Sequence, residues 1–108
     1  MKISYTQSMI APGVGARILR VDNAEIPPYF LIENKDASLG VAIHYEESYD
    51  GTTWAQIVGT SVSINTGQSN GQLVSSSARY IALFAQGTDV RIDVGVDRQL
   101  NGLITEIR

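Results

Sequence analysis

The stretch Asp89-Val90-Arg91-Ile92-Asp93-Val94-Gly95-Val96-Asp97 decides the fold. Val90, Ile92, Val94 and Val96 alternate with Arg91, Asp93, Gly95 and Asp97. A period of two is the signature of a strand with one buried and one wet face. Gly40 to Ser48 repeats the pattern, with Val41, Ile43 and Tyr45 on one side and Ala42, His44 and Glu46 on the other. Ser61 to Asn65 is a shorter version that places Val62 and Ile64 inward.

Working outward, strands are expected at Lys2 to Met9, Ala16 to Val21, Tyr29 to Asn34, Trp54 to Val58, Gln72 to Ser75, Arg79 to Gln86 and Leu103 to Ile107. The segments between them carry turn chemistry: Ala11-Pro12-Gly13, Pro27-Pro28, Lys35-Asp36, Asp50-Gly51, Thr66 to Gly71, Gln86-Gly87 and Asn101-Gly102. Glycine, proline, asparagine and aspartate supply the positive or fixed φ angles that chain reversal needs. Thr66 to Gly71 is low in complexity and reads as a loop. Turns recur every ~8–12 residues, the spacing of a sandwich or barrel. No window shows ten residues of helical periodicity, and no strand–helix alternation points to a parallel α/β sheet. The expected fold is an all-β, two-sheet antiparallel β-sandwich of about eight strands, possible as a jelly roll, in a single domain spanning residues 1–108.

Two strands break the alternation. Tyr29-Phe30-Leu31-Ile32 and Tyr80-Ile81-Ala82-Leu83-Phe84-Ala85 are apolar on both faces. Each sheet of a sandwich has one inner face, so such strands need cover on the outside as well. Barrel-like closure, a loop folded over the outer face, and a second subunit are the three ways to supply it. Ile81, Leu83 and Ala85 form an aliphatic set facing the core, whereas Tyr80, Ala82 and Phe84 carry aromatics of the kind enriched at interfaces. Tyr29, Leu31, Tyr80 and Phe84 are therefore the candidate interface, with Tyr29 and Leu31 extending the Phe84 patch from a neighbouring strand.

Composition narrows the function. The 108 residues include no cysteine, so thiolate chemistry and disulfides are out. Eight basic against 11 acidic residues give a net charge of −3, which argues against nucleic acid as a partner. The six arginines, Arg17, Arg20, Arg79, Arg91, Arg98 and Arg108, are scattered among acids, but they outnumber the two lysines. Arginine suits interfaces because its planar fork holds carboxylates bidentately. No run approaches the ~18 apolar residues of a spanning helix, so no membrane partner is expected. The N-terminus lacks the apolar run of a secretory signal, and the chain reads as a product made in the cytoplasm.

Catalytic and metal patterns are missing. The single histidine, His44, lies in an alternating strand with no cysteine and no Gly-x-Ser-x-Gly elbow to work with. Glu46 and Glu47 are adjacent, which sends them to opposite faces of a strand. The Asp-x-Asp-x-Asp-Gly calcium pattern is absent, and Gly13-Val14-Gly15-Ala16 precedes a strand, not a phosphate-binding helix. A non-enzyme without cofactor or metal is expected.

Ser48-Tyr49-Asp50-Gly51-Thr52-Thr53-Trp54 is the most specific string in the chain. Asp-Gly favours positive φ in a hairpin, and the aspartate can accept N–H bonds across the turn. Ser48, Asp50, Gly51 and Trp54 thus form a candidate structural hairpin. The string resembles the Ser-x-Asp-Gly-x-x-Trp hairpin of small β-sandwich virion proteins of tailed phages, of the capsid decoration or cement type, and of discoidin-like modules. It is one residue shorter than the sialidase Asp-box. Ala78-Arg79-Tyr80-Ile81-Ala82-Leu83 is similar to the strand that follows the hairpin in such sandwiches. The resemblance implies a non-catalytic structural virion protein, assembled in the host cytoplasm, that binds a major capsid protein shell as a small homo-oligomer. A tail or fibre component fits the same features. The alternative from a different class is a carbohydrate-binding β-sandwich module using Tyr5, Tyr29, Tyr45, Tyr49 and Trp54.

Overall fold

The computed structural model of the protein describes residues 3–23, 26–98 and 104–106, with side chains for the first two spans. Its strands are β1 (Tyr5–Ala11), β2 (Ala16–Asp22), β3 (Tyr29–Asn34), β4 (Val41–Ser48), β5 (Ala55–Gln56), β6 (Val62–Ile64), β7 (Ser69–Leu73), β8 (Tyr80–Gln86), β9 (Val90–Val96) and β10 (Ile104–Glu106). They form two antiparallel sheets. The smaller has the order β1-β9-β3-β7; the larger runs β10-β2-β8-β4-β5, with β6 also on β4. The expected turn at Asn101-Gly102 and the ends of the strands expected at Lys2 and Ile107 lie outside the described residues.

β5 and β6 are two halves of one broken strand. β5 pairs with Glu46 and Glu47, and β6 pairs with Val41 to Ile43 of the same β4. Buried Thr60 seals the break: its hydroxyl accepts the Tyr45 N–H at 3.0 Å and donates to the Ile57 carbonyl at 2.8 Å. Counted as one strand, the pair leaves eight jelly-roll strands, with β10 added beside β2. Most connections then cross from one sheet to the other, the jelly-roll way of closing a two-layer core.

The β9 alternation places Val90, Ile92, Val94 and Val96 in the core with no exposed surface. Phe30 and Ile32 of β3 and Ile43 and Tyr45 of β4 meet them from the two sheets. The Phe30 and Tyr45 rings touch across the layer with centroids 4.7 Å apart. Burial pushes the Tyr45 phenol well above the usual tyrosine range, with a further upward push from Tyr29.

One local expectation is corrected. Thr66 to Gly71 is not all loop: after the turn at Thr66-Gly67, β7 begins at Ser69 and pairs with β3. An edge strand needs only backbone bonds on one side, so Ser69, Asn70, Gly71 and Gln72 serve there without an apolar signal. The Glu47–Ala55 pairing leaves residues 48–54 as the loop between β4 and β5. In β2 the alternation fails at a bulge between Arg17 and Leu19. Adjacent Ile18 and Leu19 are both buried there, and Arg17 and Arg20 emerge on the same outer face.

Candidate binding face on the larger sheet

Strand register assembles the outer face of the larger sheet row by row. Arg17, Phe84 and His44 lie opposite one another across β2, β8 and β4, followed by Arg20, Ala82 and Glu46, then Asp22, Tyr80 and Ser48. The second apolar side of β8 is therefore covered from within the chain. The His44 ring stacks on Phe84, with centroids 4.4 Å apart and planes 15° from parallel. Gly15 packs so closely on the other side that a Cβ there would come within 2.5 Å of the Phe84 ring. Over Tyr80 lie Gly51 of the 48–54 loop and the guanidiniums of Arg20, 4.7 Å from the ring centre, and Arg79, 5.2 Å from it. A loop folded over the face is thus part of the cover.

Glu46 ties the polar part of this face together. One oxygen accepts from Arg17 Nη1 at 2.8 Å; the other lies 2.7 Å from His44 Nε2. Partial burial pushes the Glu46 carboxyl up, but hydrogen bonds from His44 and Arg17 outweigh it and hold it below its ordinary value. Arg17 also reaches over the Trp54 ring at 5.3 Å, a cation–π geometry. A cleft of about 280 Å³ beside His44 and Phe84 is bordered by Ser61, Ser63 and Gln86. No serine hydroxyl is hydrogen-bonded to His44 among the described residues.

Ser48, Asp50 and Gly51 are joined by hydrogen bonds within the loop. Buried Ser48 donates from Oγ to Asp50 Oδ1 at 3.0 Å and accepts the Gly51 N–H at 2.8 Å. Asp50 Oδ1 also accepts the N–H groups of Thr52 and Thr53, both at 2.8 Å. Gly51 has a φ of 80°, the left-handed conformation that glycine favours. Trp54 closes the loop half-exposed beneath Arg17. The loop also borders a cleft of about 420 Å³ lined by Tyr49, Thr53 and Trp54.

Hydrogen bonds from Thr53, Thr52 and Ser48 lower the Asp50 carboxyl from its ordinary 3.8 to about 2. A depressed folded pKa gives stability that is complete above the unfolded value and lost as pH falls. The Asp50 contribution is therefore present above about pH 4 and disappears between about pH 4 and pH 2. Asp50→Asn keeps an acceptor but not the charge. Its melting temperature is expected to fall by a few degrees at pH 7 and to converge on the parent's as pH approaches 2, measured by circular dichroism. A constant gap across this range would contradict the assignment.

The candidate interface divides in two. Tyr80 and Phe84 belong to the larger sheet, but Tyr29 and Leu31 face outward from the smaller one, on the opposite side of the molecule. The expected single patch is corrected because the jelly-roll crossover sends β3 and β8 to different sheets. On the smaller sheet, Leu31 lies between Gly71 and Gly95 in register, with Tyr29 leaning over Gly71 and Ile3 over Gly95. Of the aromatics considered for a sugar, Tyr5 and Tyr45 are buried in the core and Tyr29 is on the other sheet. Tyr49 and Trp54 border a common cleft.

The arginines are less scattered than their sequence positions imply. Arg17, Arg20 and Arg79 gather on one face. Arg91 is exposed on β9 of the other sheet, Arg98 pairs with Asp97 at 2.6 Å, and Arg108 lies outside the described residues. The excess of arginine over lysine was one available signal; the other was the adjacent apolar pair Ile18-Leu19 between Arg17 and Arg20, which breaks the period of two where the bulge lies.

No family model and no curated protein sequence matches the chain. Among solved structures, the crystal structure of PirA is similar over 89% of this chain and 94% of its own, with a TM-score of 0.59 and 12% identity. The crystal structure of Yersinia pseudotuberculosis-derived mitogen (YPM) is similar over 96% of this chain and 95% of its own, with a TM-score of 0.51 and 5% identity. At such identities the likeness is one of fold: this chain is an all-β sandwich that shares its architecture with both.

Proposed function

We propose that the chain is a non-catalytic structural virion protein, a capsid decoration protein of a tailed phage, that docks on a shell of major capsid protein through the outer face of its larger sheet. The observation that carries this reading is the gathering of Trp54 and Tyr80 with Arg17, Arg20 and Arg79 on that one face. Tryptophan, tyrosine and arginine dominate protein-binding hot spots, because they bring large contact area and directed hydrogen bonds together. The Ser48–Trp54 loop braces this surface, which gives the resemblance to virion hairpins a physical role. Self-association has a separate place at edge strand β1. Exposed Ile10 borders an apolar cleft of about 240 Å³ lined also by Met9, Pro12, Ala16 and Ile18.

Co-sedimentation of the purified chain with empty tailed-phage heads, combined with light scattering of the free chain, tests the reading. Saturable binding to heads and a mass above one chain are expected; a monomer that stays in the supernatant would contradict it. The cleft beside Tyr49 and Trp54 favours a second reading, a carbohydrate-binding module. Glycan-array binding abolished by Trp54→Ser would support that reading over the first.

A further inference from the structure

We propose that Arg20, Tyr80 and Arg79 form a carboxylate-binding site that takes an acidic side chain of the docking partner. Both guanidiniums lie over the Tyr80 ring, at 4.7 and 5.2 Å from its centre. Neither makes an ion pair among the described residues, where the paired arginines are Arg17 and Arg98. Arg20 Nε is buried and has no hydrogen-bond partner, and Arg20 Nη1 is 3.6 Å from the Cβ position of Gly51. Buried Nε is out of reach of an incoming group, so a partner carboxylate would meet Arg20 at its Nη groups, and a carboxylate is the acceptor that the planar fork fits.

Three nearby acids of the chain are already committed. Glu46 spends both oxygens on Arg17 and His44, Glu47 accepts the Ser76 hydroxyl at 2.6 Å, and Asp50 holds its own loop. Asp22, opposite Tyr80 in register, makes no ion pair among the described residues. Arg79 is exposed and Arg20 half-buried, so the site is open on one side and anchored on the other. In a chain of net charge −3, two guanidiniums meet on one ring as a cationic pair. An acidic partner complements it, and interfaces use such complementarity to fix register and partner choice.

This site rests on the reading of the outer face as a docking surface, but its test does not need the shell. The isotope-labelled chain is titrated with N-acetyl-Glu-Glu-Glu-amide and, separately, with N-acetyl-Gln-Gln-Gln-amide and inorganic phosphate. The nuclear magnetic resonance signals of the Arg20 and Arg79 Nε–H groups and of the Tyr80 ring are followed. Saturable shifts are expected with the glutamate peptide, about tenfold weaker in Arg79→Gln, as loss of one charged hydrogen-bonding partner implies. Arg91→Gln, on the smaller sheet, should leave them unchanged. Equal shifts with the glutamine peptide, tighter saturation by phosphate, or no effect of Arg79→Gln would overturn the site. A chain that binds the peptide but no head would keep the site and remove the decoration reading; a chain that binds heads but not the peptide would do the reverse.

Discussion

Gly15→Val is expected to lower the melting temperature by about 10–20 °C, corresponding to about 2–4 kcal/mol for a domain of this size. Two effects add. The Gly15 φ is 78°, where a β-branched residue is badly strained. The new Cβ would also lie 2.5 Å from Phe84 Cζ and 2.8 Å from Cε1. The bend has little freedom to retreat, because the Pro12 carbonyl accepts N–H bonds from both Gly15, at 3.1 Å, and Gly87, at 3.0 Å. The ring must therefore leave its place against His44. Thermal unfolding gives the first readout, and the ring-current shift of the His44 protons gives the second. Gly15→Ala, which carries the same clash with less φ strain, should fall between parent and valine variant. A valine variant with the parental melting temperature would show that Phe84 is not held by this bend.

Asn34→Leu should be at least as damaging, at about 3 kcal/mol or more. Asn34 is only 2% exposed at the end of β3. Its side-chain amide donates to the Leu39 carbonyl at 2.9 Å and the Ile64 carbonyl at 3.0 Å, and its oxygen accepts the Asp36 N–H at 2.9 Å. One residue thus fastens the 35–40 loop to β3 and to β6, across the two sheets. Leucine fills a similar volume but leaves three backbone groups without partners, and unmade buried bonds cost more than made ones contribute. Asn34→Asp is the informative companion. It keeps the acceptor for Asp36 but sets a carboxylate against two carbonyl oxygens, so it should also unfold early in urea. Leucine and aspartate variants as stable as the parent would contradict this account of the loop.

These two positions show where the sequence is legible. The strands with a clean period of two, Val90–Val96 and Val41–Ser48, were readable because each has one core face and one wet face. The jelly-roll order follows from which strands pair over long separations, and no local pattern carries that. Asn34 read as the polar end of an apolar strand, since its three partners come from later segments. Gly15 read as a bend, but its tight contact with Phe84 appears only when β2 and β8 are side by side. The Ser48–Trp54 loop was the clearest site in the sequence, because the bonds among Ser48, Asp50, Gly51, Thr52 and Thr53 are all local. The arginine cluster was the least clear, because a bulge in β2 and the β2–β8 register assemble it from residues 17, 20 and 79.

The proposed docking face is tested most directly by comparing two surface variants for co-sedimentation with tailed-phage heads. One carries Trp54→Ser with Arg79→Glu on the larger sheet's face; the other carries Leu73→Ser with Arg91→Glu on the smaller sheet, where both residues are exposed. The account predicts that the first stays in the supernatant and that the second binds heads as the parent does. A first variant that binds like the parent, or a second that loses binding while the first retains it, would contradict it.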